Sequence, residues 1–205
     1  MSTLAAAERT LLEEAARWRL LGLLLECPSS GWLEQVVALA GEVGDAELRA
    51  AAEAAAEASE GLYHSIFGPG GPAAPREVSY RNSVELGYLL SEIESYYAAF
   101  AFRPETTEAP DHIAVEAGFI GYLRLKEAYA LAGGDHERAA VTASAARTFI
   151  EEHLGAIAGP LAAALSQSGV RYLGLAGQVL ARLAGAKTDT ALLPVLADDG
   201  TLECG

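Results

Sequence analysis

The residues with chemical potential gather in two interruptions of a chain otherwise rich in Ala, Leu and Glu. One is YHSIFGPGGPAAPREVSYRNS, residues 63–83, and the other is RPETTEAPDHIAVEAGFIGYL, residues 103–123. In the second, Pro110 suits the first turn of a helix, and Asp111 can accept hydrogen bonds from the free amides there. The charged form of His112 is disfavoured by that helix end and favoured by Asp111 and Glu108. A carboxylate beside an imidazole is an ingredient of nucleophilic catalysis, yet no GxSxG serine and no reactive-looking cysteine accompanies the pair. By themselves the two residues read as a helix start with a solvent-facing histidine. His64, His136 and His153 stand outside any HExxH or other close set of ligands, so the spacing offers no metal site. The chain is not expected to be an enzyme, and nothing in it requires a cofactor.

The first interruption is a Gly/Pro cluster. A phosphate-gripping loop needs a lysine followed by Ser or Thr at a helix start, but GPGGPAAPRE has no lysine, and its prolines remove amide donors. A dinucleotide-binding turn needs a preceding strand and a parallel sheet, and no stretch alternates as a strand would. What remains is a turn-rich connector flanked by Tyr63, Ile66, Phe67 and Tyr80. Its aromatics either pack into a core or line a site.

With 205 residues the chain is long enough to bury a core of its own as one domain. Its 28 acidic and 14 basic side chains give a net charge of -14, which repels a phosphate backbone and attracts a basic peptide. Cys27 and Cys204 form no CxxC or disulfide framework, the amino terminus has no basic export signal, and glycines and Pro160 break the longest uncharged stretch, Leu154 to Val170. A cytoplasmic protein is the expectation.

The periodicity predicts helices throughout. They run over Leu4–Glu26, then from a Ser30 cap with a stripe of Leu33, Val36, Val37 and Ala40, and then over Asp45–Ser59 as a peripheral Ala/Glu helix. Beyond the Gly/Pro loop follow Ser83–Phe102, a wide-faced central helix over Asp111–Leu131, one ending at His153, and a last pair between Gly155 and Ala186. Short connections favour packing beside sequence neighbours. The fold class is therefore all-α, a single-domain helical bundle over residues 1–187, followed by an acidic, loosely ordered tail over 188–205.

Taken together, YHSIFGPGGPAAP and the later EAPDHIAVEAGFIGYL resemble the TorD/DmsD/NarJ family, chaperones that mature molybdenum-containing redox enzymes. LLLECPS, FIEEHLGAIAGPLAAAL and YLGLAGQVLARL occur in the family's order, so the resemblance runs from about Arg17 to Leu183. The E-x-P-D-H stretch is closer to the TorD and DmsD branches. One departure stands at Pro75, Arg76, Glu77 and Val78, where the family often has Pro-Tyr-Glu-Ser.

The resemblance implies a TorD-like helical chaperone without catalysis. It would hold the apo catalytic subunit of a molybdenum-cofactor oxidoreductase, commonly through a twin-arginine leader, until the cofactor is inserted. A receptor for such a leader needs carboxylates beside an apolar groove. Glu77, Glu108 and Asp111 would supply the first, and Tyr63, Phe67 and Tyr80 the second, with Pro110 and His112 fixing the helix start. The two interruptions are then expected to meet in space. Alternatives are a helical adaptor without leader recognition and, associated with the family, a guanine nucleotide, against which the missing lysine argues. A monomer and a dimer exchanging helices both remain open.

Overall fold

The computed structural model describes residues 6–81 and 84–185. The tail over 188–205, with Cys204, lies outside the described residues. Nine α-helices follow in chain order among the described residues: α1 Ala6–Leu24, α2 Trp32–Glu42, α3 Ala46–Ala54, α4 Glu60–Phe67, α5 Leu86–Ala99, α6 Ile113–Ala132, α7 His136–Phe149, α8 Gly155–Gln167 and α9 Arg171–Leu183. No strand occurs among them, so the all-α expectation holds. No described helix is long and apolar enough to cross a membrane.

Helix α6 is the central one, as its wide apolar surface predicts, and α1 packs along its length. Small residues set how closely the two approach. A Cβ added to Gly22 would come within 3.0 Å of the Ala114 carbonyl oxygen, and one added to Gly121 within 3.1 Å of the Ala15 oxygen. On the other side of α6, Phe119 joins Tyr97 at 4.8 Å and Phe149 at 4.9 Å between ring centroids, linking α5 and α7 into the same core. Helix α9 closes the bundle against α8 and α3.

Several local expectations change. Helix α2 is capped by Gly31 at φ 76° and not by Ser30, and of its expected stripe Val36 alone is buried, Leu33 and Val37 being exposed. Trp32 takes over the packing, its indole donating to the Leu23 carbonyl at 2.7 Å, which turns the helix away from the stripe. Helix α3 is less peripheral than its composition implies: Leu48, Ala51 and Ala52 are buried against α9, and Arg182 reaches Asp45 at 2.7 Å. Gly155 does not break the chain. A π-helical turn, Ile150–Leu154, joins α7 to α8 directly.

Gly121→Ala is expected to destabilise the protein by about 1–3 kcal/mol, because the facing α1 backbone must shift. Gly118→Ala, whose Cβ meets nothing within 4 Å, is the control. Urea midpoints of the two variants check this.

Candidate functional site

The two interruptions meet. Residues 75–77 lie antiparallel to residues 111–113, with the Ile113 amide donating to the Pro75 carbonyl at 2.8 Å and the Glu77 amide to the Asp111 carbonyl at 2.9 Å. The Gly/Pro loop begins further from open chain than its composition predicts, since Tyr63 and Phe67 sit on α4, which Ser59 caps by accepting from the Leu62 amide. Gly68 and Gly71 turn the chain tightly back over the end of that helix, where an added Cβ would collide with the His64 and Ile66 carbonyl oxygens respectively. Gly68 and Gly71 therefore serve the turn. The Tyr80 hydroxyl fastens the loop by donating to the Ala74 carbonyl at 2.8 Å.

Asp111 is wholly buried, and both its oxygens are engaged. Oδ1 accepts from Arg76 Nε at 2.8 Å and Nη2 at 2.7 Å, and Oδ2 from the Val78 amide at 3.3 Å. An unpaired buried carboxylate costs several kcal/mol, so the side chain turns across the interruption to its cation and leaves the helix end uncapped by it. His112 caps α6 instead, with Nδ1 accepting from the Ala114 amide at 3.2 Å. Nε2 therefore carries the proton and donates to the Tyr63 hydroxyl at 3.0 Å. The expected solvent-facing histidine is corrected: His112 is buried, held under Tyr63, whose ring lies 4.9 Å from that of Phe67. Burial lowers the His112 pKa and outweighs the opposing pull of Glu108 and Asp111.

A second buried group adjoins the first. The Glu77 carboxylate binds Arg81 and His153, the latter at 3.0 Å between Oε2 and Nδ1. Burial opposes its ionisation, but His153 and Arg81 outweigh that and hold its pKa below the ordinary carboxylate value. Glu116, one turn along α6 from His112, is wholly buried with no hydrogen-bond partner for either oxygen. Burial first, and then the neighbouring Glu77 charge, push its pKa well up and favour the neutral carboxyl.

Of the expected site residues, Tyr63, Phe67, Glu77, Asp111 and His112 are thus interior, and Tyr80, Glu108 and Pro110 are half-buried. Pro110 accepts from the Tyr97 hydroxyl at 2.8 Å through its carbonyl. Glu108 stands between this interior and the surface, 3.9 Å from His112 Nε2, and its charge is felt at Glu26 and Cys27. From Glu26 a groove of about 670 Å³ opens between α1 and α6, roofed by the start of the second interruption. Leu12, Ala15, Val115 and Gly118 line it, with Phe102 and Leu125 towards one side and Glu26, Glu105, Arg19 and Arg103 among its polar residues. Sequence reasoning missed Arg76, Arg81, Glu116 and this groove. The available signal was Glu116, an acid set in the apolar run IAVEAGFIGYL.

The sequence model of the nitrate reductase delta subunit family matches residues 30–163, which take in both interruptions. The chain belongs to that family, a family of chaperones for the maturation of molybdenum enzymes and not of catalysts. The family acts on molybdoenzyme catalytic subunits, which supports a redox enzyme as the partner. Comparison with curated proteins and with solved structures finds no match in either.

Two outcomes follow from the buried charges. Asp111→Ala leaves Arg76 without its partner and is expected to cost about 3 kcal/mol, the lower end of the range for broken buried pairs because Arg76 can turn to water. Chemical denaturation measures it. The raised pKa of Glu116 means that the folded state holds a proton which the unfolded chain releases above its ordinary pKa of 4.5. Stability from this group is complete below that pH and declines as pH rises, so the advantage of Glu116→Gln over wild type grows by up to about 1.4 kcal/mol per pH unit until the folded pKa is reached. Melting curves at about pH 5 and pH 7.5 test this, and an equal difference at both refutes it.

Proposed function

We propose that this chaperone holds the apo catalytic subunit in the cytoplasm by its twin-arginine leader, with the apolar part of the leader lying in the groove between α1 and α6. The carrying observation is the juxtaposition of that groove with the Glu26 and Glu108 carboxylates, in a chain of net charge -14. Arg19 and Arg103 also stand on the rim, Arg19 being 3.8 Å from Glu26, so the rim is mixed along its length. The negative end is the one towards Glu26 and Glu108, and that end receives the arginines. Burial raises the pKa of Glu26, and a guanidinium arriving there would restore its charge.

In this reading the site residues divide their labour. Glu108 meets the leader beside Pro110, while Asp111, His112, Glu77, Tyr63, Phe67 and Tyr80 form the rigid wall behind and set where Glu108 stands. The E-x-P-D-H segment favours the TorD and DmsD branches, whose clients carry such leaders. Residues 1–187 act as one chaperone domain.

Gly118 offers a clean probe, because it lines the groove and a Cβ there meets nothing within 4 Å. Fluorescence anisotropy of a labelled peptide with paired arginines followed by an apolar segment is expected to show at least about tenfold weaker binding to Gly118→Leu, a loss of roughly 1.4 kcal/mol. Glu105→Gln with Glu108→Gln is expected to weaken binding mainly at low salt and to flatten its salt dependence. Unchanged affinity in both variants would remove the groove from the proposal.

A further inference from the structure

The π-helical turn between α7 and α8 places Glu152 and His153 against Glu92 of α5, and the three residues' ligand atoms all lie within 4.8 Å of one another. His153 is 1% exposed and firmly oriented. Its ring lies 4.4 Å from that of Phe149 and 5.8 Å from that of Tyr96, and Nδ1 is 3.0 Å from Glu77 Oε2. Glu77 is held in turn by Arg81, whose guanidinium also binds the Glu152 backbone carbonyl. With Nδ1 committed to a carboxylate, Nε2 is the nitrogen left for the trio, and it is buried without a hydrogen-bond partner.

We propose that Glu92, Glu152 and His153 Nε2 form a binding site for a divalent transition-metal ion of the Zn²⁺ type. Two carboxylates and one imidazole are a ligand set suited to such an ion, with a fourth position open to water. The carboxylate behind the histidine is the arrangement that metal sites use: a Glu77 that accepts from Nδ1–H fixes the ring in the tautomer whose Nε2 lone pair faces the ion. Metal–ligand distances of about 2.0–2.2 Å require the three atoms to stand roughly 3–3.5 Å apart. The remaining closure falls to Glu152, which is exposed, and to Glu92, which is half-buried; both can change rotamer. Access exists as well, since Glu92 also lines an open depression of about 500 Å³ along α5 with Ser91 and Tyr96. The Tyr96 hydroxyl donates to Glu152 Oε2 at 3.4 Å, a long contact that an ion can replace or share. A bound ion would tie α5 to the π turn.

The full-length protein, stripped with a chelator and returned to neutral buffer, is titrated with ZnCl₂ by calorimetry in the presence of excess Mg²⁺. One equivalent is expected to bind and to raise the melting temperature. Glu92→Gln and Glu152→Gln, both at accessible side chains, are each expected to weaken binding at least about tenfold, whereas Glu151→Gln in the same turn leaves it unchanged. No binding by the wild-type protein would overturn the proposal. Binding that survives in the Glu92→Gln/Glu152→Gln double variant, or that Glu151→Gln weakens equally, would overturn it too, as ordinary association of Zn²⁺ with an acidic surface.

Discussion

The structure depends on a buried carboxylate that cannot be left alone. Asp111 is at the start of the central helix with no access to water, and its charge is met by Arg76 from a segment 35 residues earlier in the chain. That pairing aligns the two strips of backbone which exchange hydrogen bonds at Pro75–Ile113 and Glu77–Asp111. A loop of glycines and prolines has little apolar surface with which to order itself, so its position is decided by ionic and backbone bonds. Once the loop is fixed, Glu77 is carried inwards to Arg81 and His153, and Glu116 is sealed beneath it with its pKa raised by burial and by the Glu77 charge. Interior charge here does not add stability freely. It specifies one docking geometry, because any other would strand a carboxylate.

The same constraint separates wall from opening. Tyr63, Phe67 and His112 fill the space behind the loop. The cleft lies on the other face of the second interruption, between α1 and α6, where Gly22 and Gly121 bring the helices close and Gly118 leaves a hollow. In the proposed reading this hollow takes the apolar part of the client's leader, with the arginines at its acidic end. A polypeptide recognised by charge at one end and by apolar contact along the rest can be held without being folded, as suits a client awaiting its cofactor.

What could be read from residue order alone was what local chemistry decides. Helical periodicity, the Asp45 cap, the stop at Gly133 and the breadth of α6's apolar surface made the all-α bundle and its central helix legible, because each rests on residues within a few turns of one another. Net charge argued against nucleic acid, the missing lysine argued against a phosphate-gripping loop, and motif order pointed to the family. The sequence also marked out the two interruptions, which the fold brings side by side. It misjudged α2, where one indole hydrogen bond to Leu23 outweighed a plausible apolar stripe.

Tertiary structure decided everything that turns on partners distant in the chain. Whether His112 faces water or Tyr63, whether Asp111 caps its own helix or binds Arg76, and whether His153 stands alone or beside Glu92 are questions about residues 35 to 61 positions apart. Pattern carries no information on such pairs, since the same acid or histidine suits an exposed helix end equally well. Burial settles them: a charge without water must find a counter-charge or lose its ionisation, and only the packed bundle determines which is within reach.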